Sequence, residues 1–537
     1  MANQDSVRCI KNLVTAESGQ KQASIDLVEF TTNTPQSVNT LDLFPEDRKQ
    51  LMQGVGTSFT QSSAYVLAHL SDDERNRVME AIYGESGANF ALARSHIGAC
   101  DFCVDGKYSY ADIPDDKDLS HFSIEADNKP FDLSEHPDLI EPSFTLLPMI
   151  QAANRIKARQ GDEPIQIIAS AWTAPPWMKD IEDWYITADY ANGIDGTGGQ
   201  LKPEYQITYA QYLVKYLDAY QEQGVPIWGL TPVNEPHGNN GQWESMNFTP
   251  QSQCDFIKES LGPSLQSSQH KGIKLLIYDQ NRDGLEEWTD VILSDPDAAQ
   301  YVYGTAVHWY ESTYKVYEDT LDSVHDQYPH YDIIHTEGCI DDLGKPAPAG
   351  IMDPDGFQES GWFENDDFWW NDNATDWAYT AVWANAEDHP IYAPVHRYAR
   401  NIIVSFNHWM SGWIDWNIVL DHLGGPNHVG NFCGAPIMIN RVTKAIYYTP
   451  VYHVLSQLSR SIRPGDYAIE IDLSIPDLDD DVLHACATIN AENILSVQLL
   501  NTSKSAIELS VSLLGKVAEL TLYPNSVQTI QLDINPV

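Results

Sequence analysis

The sequence predicts an α/β chain folded as a (β/α)8 TIM barrel with a side β-sandwich domain, and three observations predict it. Short apolar runs alternate with longer helical patterns from about residue 50 to 420. Alternation of this kind requires parallel strands joined by crossovers. Eight such runs occur, and that count favours a closed barrel over the open doubly wound sheet that alternation alone would also fit. After about Tyr448 the texture changes to short alternating runs broken by polar turns, the pattern of an antiparallel sandwich.

The elements follow in order. "LMQGVGTSF" is the first barrel strand, with "DDERNRVMEAIYG" as the helix after it. "ANFALARSHIG" is the second strand, and the helix "TLLPMIQAANRIKARQG" leads into the third, "PIQIIASAW". The next helix spaces Tyr209, Tyr212, Leu213, Tyr216, Leu217 and Tyr220 for one face and stops at Gly224. "VPIWGLTPVNE", "IKLLIYDQ", "YVYGTAVHWY", "YDIIHTEG" and "GWIDWNIVL" are strands four to eight. The C-terminal strands are "DYAIEIDLSI", "VLHACATIN", "ILSVQLLN", "AIELSVSLL" and "AELTLYP", and "ASIDLVEFTT" near the N-terminus is expected to add another. The expected division is an N-terminal segment over 1–45 that joins the sandwich, a barrel over 46–447 and a C-terminal sandwich over 448–537.

With 537 residues, 42% of them hydrophobic, the chain can fill one large core and a smaller one. Its 31 basic and 77 acidic residues give a formal charge of −46, which disfavours nucleic acid and anionic membrane surfaces as partners. No run approaches the roughly 18 apolar residues of a spanning helix. "MANQDSVRCIKNLV" has no basic stretch ahead of an apolar one, so no secretory signal is visible and a soluble protein is expected, with cytoplasmic and secreted locations both open. Cys100 and Cys103 form a C-x-x-C in "GACDFC", but no second pair stands at zinc-site spacing, so buried free thiols are the expectation. "PDLDDDV" lacks the regular spacing of a calcium loop and reads as a solvated acidic turn.

Reactive side chains of such a barrel belong at the C-terminal strand ends. Glu235, in "TPVNEPHG", ends the fourth strand, and Glu337, in "IIHTEGC", ends the seventh. Two carboxylates at one mouth are what glycoside hydrolysis needs: one protonates the leaving oxygen, while the other attacks the anomeric carbon or activates water. A chain with 77 acidic residues produces such pairs by chance, so the surroundings matter. "SAWTAPPW", "VHWY" and "GWIDWN" bring tryptophans to three other strand ends. Their faces suit sugar C–H surfaces, although any single tryptophan is as readily core filler.

The ordered set "GVGTSFTQSSA", "GACDF…YSYAD", "SAWTAPPWMK", "NEP", "FTPQSQCDFIKESLGP", "AVHWY", "HTEGC" and "GWIDWN…GGPNHVGNF" resembles glycoside hydrolase family 30, in particular its glucosylceramidase-like branch. The resemblance covers roughly residues 50 to 465. It implies a barrel with a sandwich built from both chain ends. It also makes Glu235 the general acid/base and Glu337 the nucleophile of a retaining mechanism that uses no metal or redox cofactor. That mechanism asks for a raised pKa at Glu235 and an ionised Glu337, with Tyr310 as its hydrogen-bond donor. By the same resemblance Asn234 holds the sugar 2-OH and Asp101 accepts from distal hydroxyls. Trp172 and Trp416 line the pocket, and Arg94 and His308 stand behind the carboxylates. Arg94 reads equally well as a structural ion-pair partner, and Asp415 as a loop support.

The match loosens after Glu235, where "QWESM" looks more like relatives acting on β-1,6-glucans than like animal glucosylceramidases. The tryptophan-rich "GWFENDDFWWNDNATDW" (361–377) is expected to line the aglycone side. The implied function is an exo-acting β-glucosidase whose substrate is a small or oligosaccharide β-glucoside, with ceramide, glucose in a β-1,6 link or a small alcohol as leaving group. A β-xylosidase or β-fucosidase of the same family and a non-catalytic carbohydrate-binding barrel are the alternatives. Oligomeric state is not legible.

Overall fold

A computed structural model describes residues 7–340, 361–371 and 393–534. Eight parallel strands close on themselves: β1 (Gly54–Phe59), β2 (Leu92–Ile97), β3 (Gln166–Ala171), β4 (Gly229–Thr231), β5 (Lys274–Asn281), β6 (Gly304–His308), β7 (Asp332–Glu337) and β8 (Met410–Asp415). The ring is sealed where β8 pairs with β1, from Gly412 opposite Gly54 to Asp415 opposite Thr57. Each strand overlaps the run read for it. β4 is the shortest, because Pro232 has no N–H to continue the ladder. β8 starts two residues before its run, and the last two residues of that run, Val419 and Leu420, belong to the strand Val419–Asp421 of a separate three-stranded sheet.

Side chains alternate along a strand, so each strand stacks inward residues in layers. Leu92, Ile168, Leu276, Ala306, Ile334 and Ile414 form one fully buried apolar layer from six strands. Two residues further along their strands stand Arg94, Ser170, His308, Thr336 and Trp416. The polar site is therefore the next layer of the barrel, resting on an apolar floor at the C-terminal mouth.

The helices carry their own signals. Ser71 and Glu74 form a capping box at the start of Asp72–Tyr83. Leu146–Gln160 ends at Gly161, whose φ of 80° a residue with a Cβ rarely adopts. In Gln206–Glu222 the six apolar-face residues read from the spacing are all buried. No helix among the described residues is long and apolar enough to cross a membrane.

The second domain is one nine-stranded sheet that folds over a core of its own. Both chain ends build it. Arg8–Ala16 pairs with Ser526–Asp533, and Thr40–Leu51 lies between Tyr467–Ser474 and Ile507–Leu513. Leu41, Leu509 and Val511 meet Leu495, Val497 and Ile530 in a single cluster, which makes the folded sheet a sandwich. The strand expected over "ASIDLVEFTT" forms only in part: Ala23–Ser24 pairs with Leu13–Val14, and Thr31 makes a single antiparallel bridge to Val517. Its apolar residues change face between Leu27 and Val28, and none of residues 23–32 is fully buried, so no continuous face drives pairing. Helix Pro450–Ser461 ties the two domains together. Its Gln457 accepts from Thr15 Oγ1 at 2.7 Å and donates to Val527 O at 3.1 Å, and its Ser459 Oγ donates to Val55 O at 3.2 Å.

Candidate active site

A cavity of about 250 Å³ opens at the C-terminal mouth. It is smaller than the few hundred cubic ångströms of a typical drug-sized pocket. Asp101, Trp172, Asn234, Glu235, Tyr310, Glu337 and Trp416 all line it. Arg94 and His308 sit directly beneath, fully buried. All nine residues expected at the site are thus brought together.

Arg94 organises the floor. Its guanidinium donates to Glu337 Oε2, to Asn234 Oδ1 at 2.6 Å, to Asp279 Oδ2 at 2.7 Å and to Ser170 Oγ at 3.2 Å. It also lies over the rings of Trp172 and Trp416, at 4.9 and 5.6 Å from their centroids. Arginine only donates, so the Asn234 oxygen must face it and the amide nitrogen is left for the cavity. Of the two readings of Arg94, the structure supplies the ion pairs. A flat cation with five donors is needed for such a fork. Replacing Arg94 with Met leaves Asp279 and Glu337 buried without their main cation. A stability loss of about 3–5 kcal/mol is expected, measured by denaturant unfolding, and Lys should restore only part of it.

Asp279 is a residue the sequence reading missed. Its carboxylate is completely buried and accepts from Arg94, Ser170 (2.9 Å), Thr231 (2.9 Å), Thr336 (2.7 Å) and the His308 ring (3.0 Å). Burial would push it up, but Arg94, His308 and Thr336 hold it well below the usual carboxylate range. His308 lies between carboxylates, with Nε2 against Asp279 and Nδ1 3.3 Å from Glu235. Burial would lower its pKa, but Glu337, Asp279 and Glu235 raise it to about 9, so the ring is an imidazolium at neutral pH.

Glu235 adopts a left-handed backbone (φ 48°), with its N–H on Asp279 O at 3.0 Å. That conformation costs a non-glycine residue about 1–2 kcal/mol and turns its side chain over the cavity. One carboxylate oxygen each of Glu235 and Glu337, with a His308 ring nitrogen, lie within 4.8 Å of one another. Tyr310 donates its hydroxyl to Glu337 Oε1 at 3.1 Å. Burial pushes the Glu337 carboxyl up, a push opposed by the charges on Arg94 and His308.

On the far wall, Asp101 Oδ2 accepts from Asn427 and Asn431 at 2.9 and 3.0 Å. Burial raises its pKa to about 7 despite both bonds. The folded protein therefore holds an extra proton between about pH 4, the ordinary aspartate value, and 7. Stability should fall as pH rises through that window, by an order of a few kcal/mol. Unfolding of Asp101→Asn at pH 4 and pH 8 checks this: the variant should gain on the wild type at the higher pH, and a pH-independent difference would refute it.

Of the strand-end tryptophans, only Trp172 and Trp416 reach the cavity, stacked with ring centroids 5.2 Å apart. Trp309 and Trp413 are buried behind β6–β8 around His335, and Trp177 donates to Ala111 O. For those three the core-filler reading holds. The expectation for 361–377 is met by none of its described residues, 361–371. Trp362, Trp369 and Trp370 are buried and none lines the cavity, with Trp362 bonded to His422 O, while Trp377 lies outside the described residues. The Glu235 side is lined instead by Gly238, Asn239, Asn240, Gln242 and Trp243, all from the stretch after Glu235 where the sequence match loosens. Asp415 bonds to Thr57 and Tyr398 and does not line the cavity.

Cys100 and Cys103 are free buried thiols with sulfurs 4.0 Å apart. With His96 they offer three ligand atoms within 4.8 Å. Both His96 nitrogens are already engaged, Nδ1 with Gly98 O at 2.6 Å and Nε2 with the Gln61 N–H at 3.2 Å, which leaves no lone pair for a metal.

Residues 52–347 and 376–462 match the glycosyl hydrolase family 30 TIM-barrel domain, and 468–530 match the family 30 β-sandwich domain. The chain is similar to lysosomal acid glucosylceramidase of Mus musculus, with 30% identity over 475 residues covering 88% of this chain and 79% of that protein. It is also similar to endo-1,6-β-D-glucanase of Neurospora crassa, with 25% identity covering 96% and 93%. Among solved structures, SrfJ from Salmonella typhimurium superposes with a TM-score of 0.77 at 21% identity, covering 98% and 99%. That likeness concerns the fold alone.

Proposed function

Because the chain belongs to glycosyl hydrolase family 30, we propose that it is a retaining, exo-acting β-glucosidase that removes terminal β-linked glucose. The observation that carries the mechanism is the short gap between Glu235 and Glu337, whose nearest oxygens lie within 4.8 Å. Inverting enzymes hold their carboxyl groups about 6.5–9.5 Å apart to admit a water, whereas retaining enzymes hold them about 5–5.5 Å apart.

In this reading Glu337 attacks the anomeric carbon and forms a glycosyl ester while Glu235 protonates the departing oxygen. Glu235, now a base, takes a proton from water as the water's oxygen attacks the same carbon and releases Glu337. Arg94 and Tyr310 stabilise the Glu337 carboxylate before attack and after release. Two cations, Arg94 and His308, face three carboxyl groups, so the buried cluster balances when one carboxyl keeps its proton. The Asn234 amide nitrogen is aimed to bind the sugar 2-OH, a bond that tightens in the transition state. Asp101 with Asn431 and the Trp172–Trp416 pair close the glycone side, which supports the exo reading.

The names of the relatives suggest two substrate types, glucosylceramide and β-1,6-linked glucan. A panel of aryl β-glucoside, β-xyloside and β-fucoside, followed by glucosylceramide and β-1,6-glucan oligosaccharides, tests the glycone. Proton NMR of the first product formed should show the β-anomer. An α-anomer would remove the double-displacement reading, and sugar binding without turnover of any glycoside would favour a non-catalytic barrel.

A further inference from the structure

The acid Glu235 protonates the leaving oxygen, so whatever that oxygen carries must lie over the loop that follows Glu235. The wall there is made of Gly238, Asn239, Asn240, Gln242, Trp243 and Gln280. No Leu, Ile, Val, Met or Phe lines the cavity among the described residues. A lipid leaving group would press hydrocarbon against amides, which gains little from burial. One half-buried indole set among amides is the chemistry of a sugar ring, whose C–H face stacks while its hydroxyls bond to the amides.

The same loop is anchored from below. The Asn239 amide nitrogen donates to Trp243 O at 3.2 Å, and its oxygen accepts from Gln242 N at 3.1 Å. The next residue, Glu244, is fully buried with Oε1 3.0 Å from His428 Nε2. Among the described residues neither Glu244 oxygen has another polar partner, and the Glu244 contact raises the His428 pKa against the pull of burial. His428 in turn bonds to the glycone wall, with its N–H on Asp101 O at 3.0 Å and its Nδ1 3.1 Å from Cys103 O. A buried carboxylate held this way is costly unless its partner stays in place, so the pair joins the two walls as one unit.

We propose that the loop after Glu235 is a leaving-group subsite for a second sugar ring with Trp243 as its platform, and that Glu244, through His428, is the positioning residue that holds this platform. The proposal rests on the β-glucosidase reading and selects a glycosyl over a lipid leaving group within it. Three substrates test it: β-glucosyl fluoride, whose leaving group occupies nothing beyond Glu235, a panel of β-linked glucobioses, and glucosylceramide in detergent micelles. Trp243→Ala should lower kcat/KM for the best glucobiose about 10-fold more than for the fluoride. Glu244→Gln should raise KM for the glucobiose more than it lowers kcat for the fluoride. Combined with Trp243→Ala it should add little, because it acts through the same ring. Equal losses on fluoride and glucobiose in Trp243→Ala overturn the proposal even if the Glu244 variant does not fold. A wild-type preference of tenfold or more for glucosylceramide over every glucobiose also overturns it. Failure of the wild type on the fluoride itself would be a separate result, refuting the β-glucosidase reading.

Discussion

Glu337→Gln is expected to lose turnover by about 10⁴- to 10⁶-fold, the scale of removing a nucleophile from a preorganised site. Gln keeps the shape, its amide oxygen can accept from Arg94 and its NH2 can donate to the Tyr310 hydroxyl oxygen in place of the bonds to Glu337, so the fold should survive. Retained thermal unfolding behaviour would confirm that the loss is chemical. An alanine at 337 leaves room for an external nucleophile on that face, and azide should then yield the α-glucosyl azide by a single inversion. Full activity in the Gln variant would end the assignment of Glu337.

Glu235→Gln should behave differently, because its role depends on the leaving group. General acid catalysis is worth about 10²–10⁴-fold, so that loss is expected for an alkyl glucoside or a glucobiose. A dinitrophenyl glucoside needs no proton to depart. With it the first step should stay close to wild type while the second, lacking its base, becomes slow. Stopped-flow absorbance should therefore show a burst of dinitrophenol followed by slow turnover. Azide with an alanine at 235 should restore turnover and give the β-glucosyl azide, the anomer opposite to that from position 337. Equal losses on both substrates, with no burst, would take the acid/base role away from Glu235.

These two expectations depend on a layer of the barrel that was only partly legible. Glu235 and Glu337 were readable because each follows a short apolar run at a strand end. Asn234 and Tyr310 were readable by their place in motifs beside them. Asp279 was not. Strict alternation from the inward Leu276 would turn Tyr278 in and Asp279 out. Tyr278 and Asp279 instead take left-handed backbones (φ 71° and 73°) at a register shift between β5 and β6, and this rotates the carboxylate onto the floor. A second shift, between His335 and Glu337 on β7, leaves both Thr336 and Glu337 facing the site. The strands Arg8–Ala16 and Thr40–Leu51 were also missed, since their partners lie hundreds of residues away in the C-terminal domain.

By itself, the sequence determined the number and order of the barrel strands, the sandwich strands from about Tyr467 onward and the strand ends that carry the two glutamates. Apolar runs and side-chain alternation are local properties, so a single chain displays them. Only the tertiary structure decided which side chains meet. Arg94 bonds to Glu337 across 243 residues and to Asp279 across 185, and Glu244 meets His428 from another loop. It also separated Trp172 and Trp416 in the cavity from Trp309 and Trp413 in the core. The reason is that bulges, left-handed residues and buried charge pairs persist only where neighbouring strands and loops satisfy them, and those neighbours are set by barrel closure.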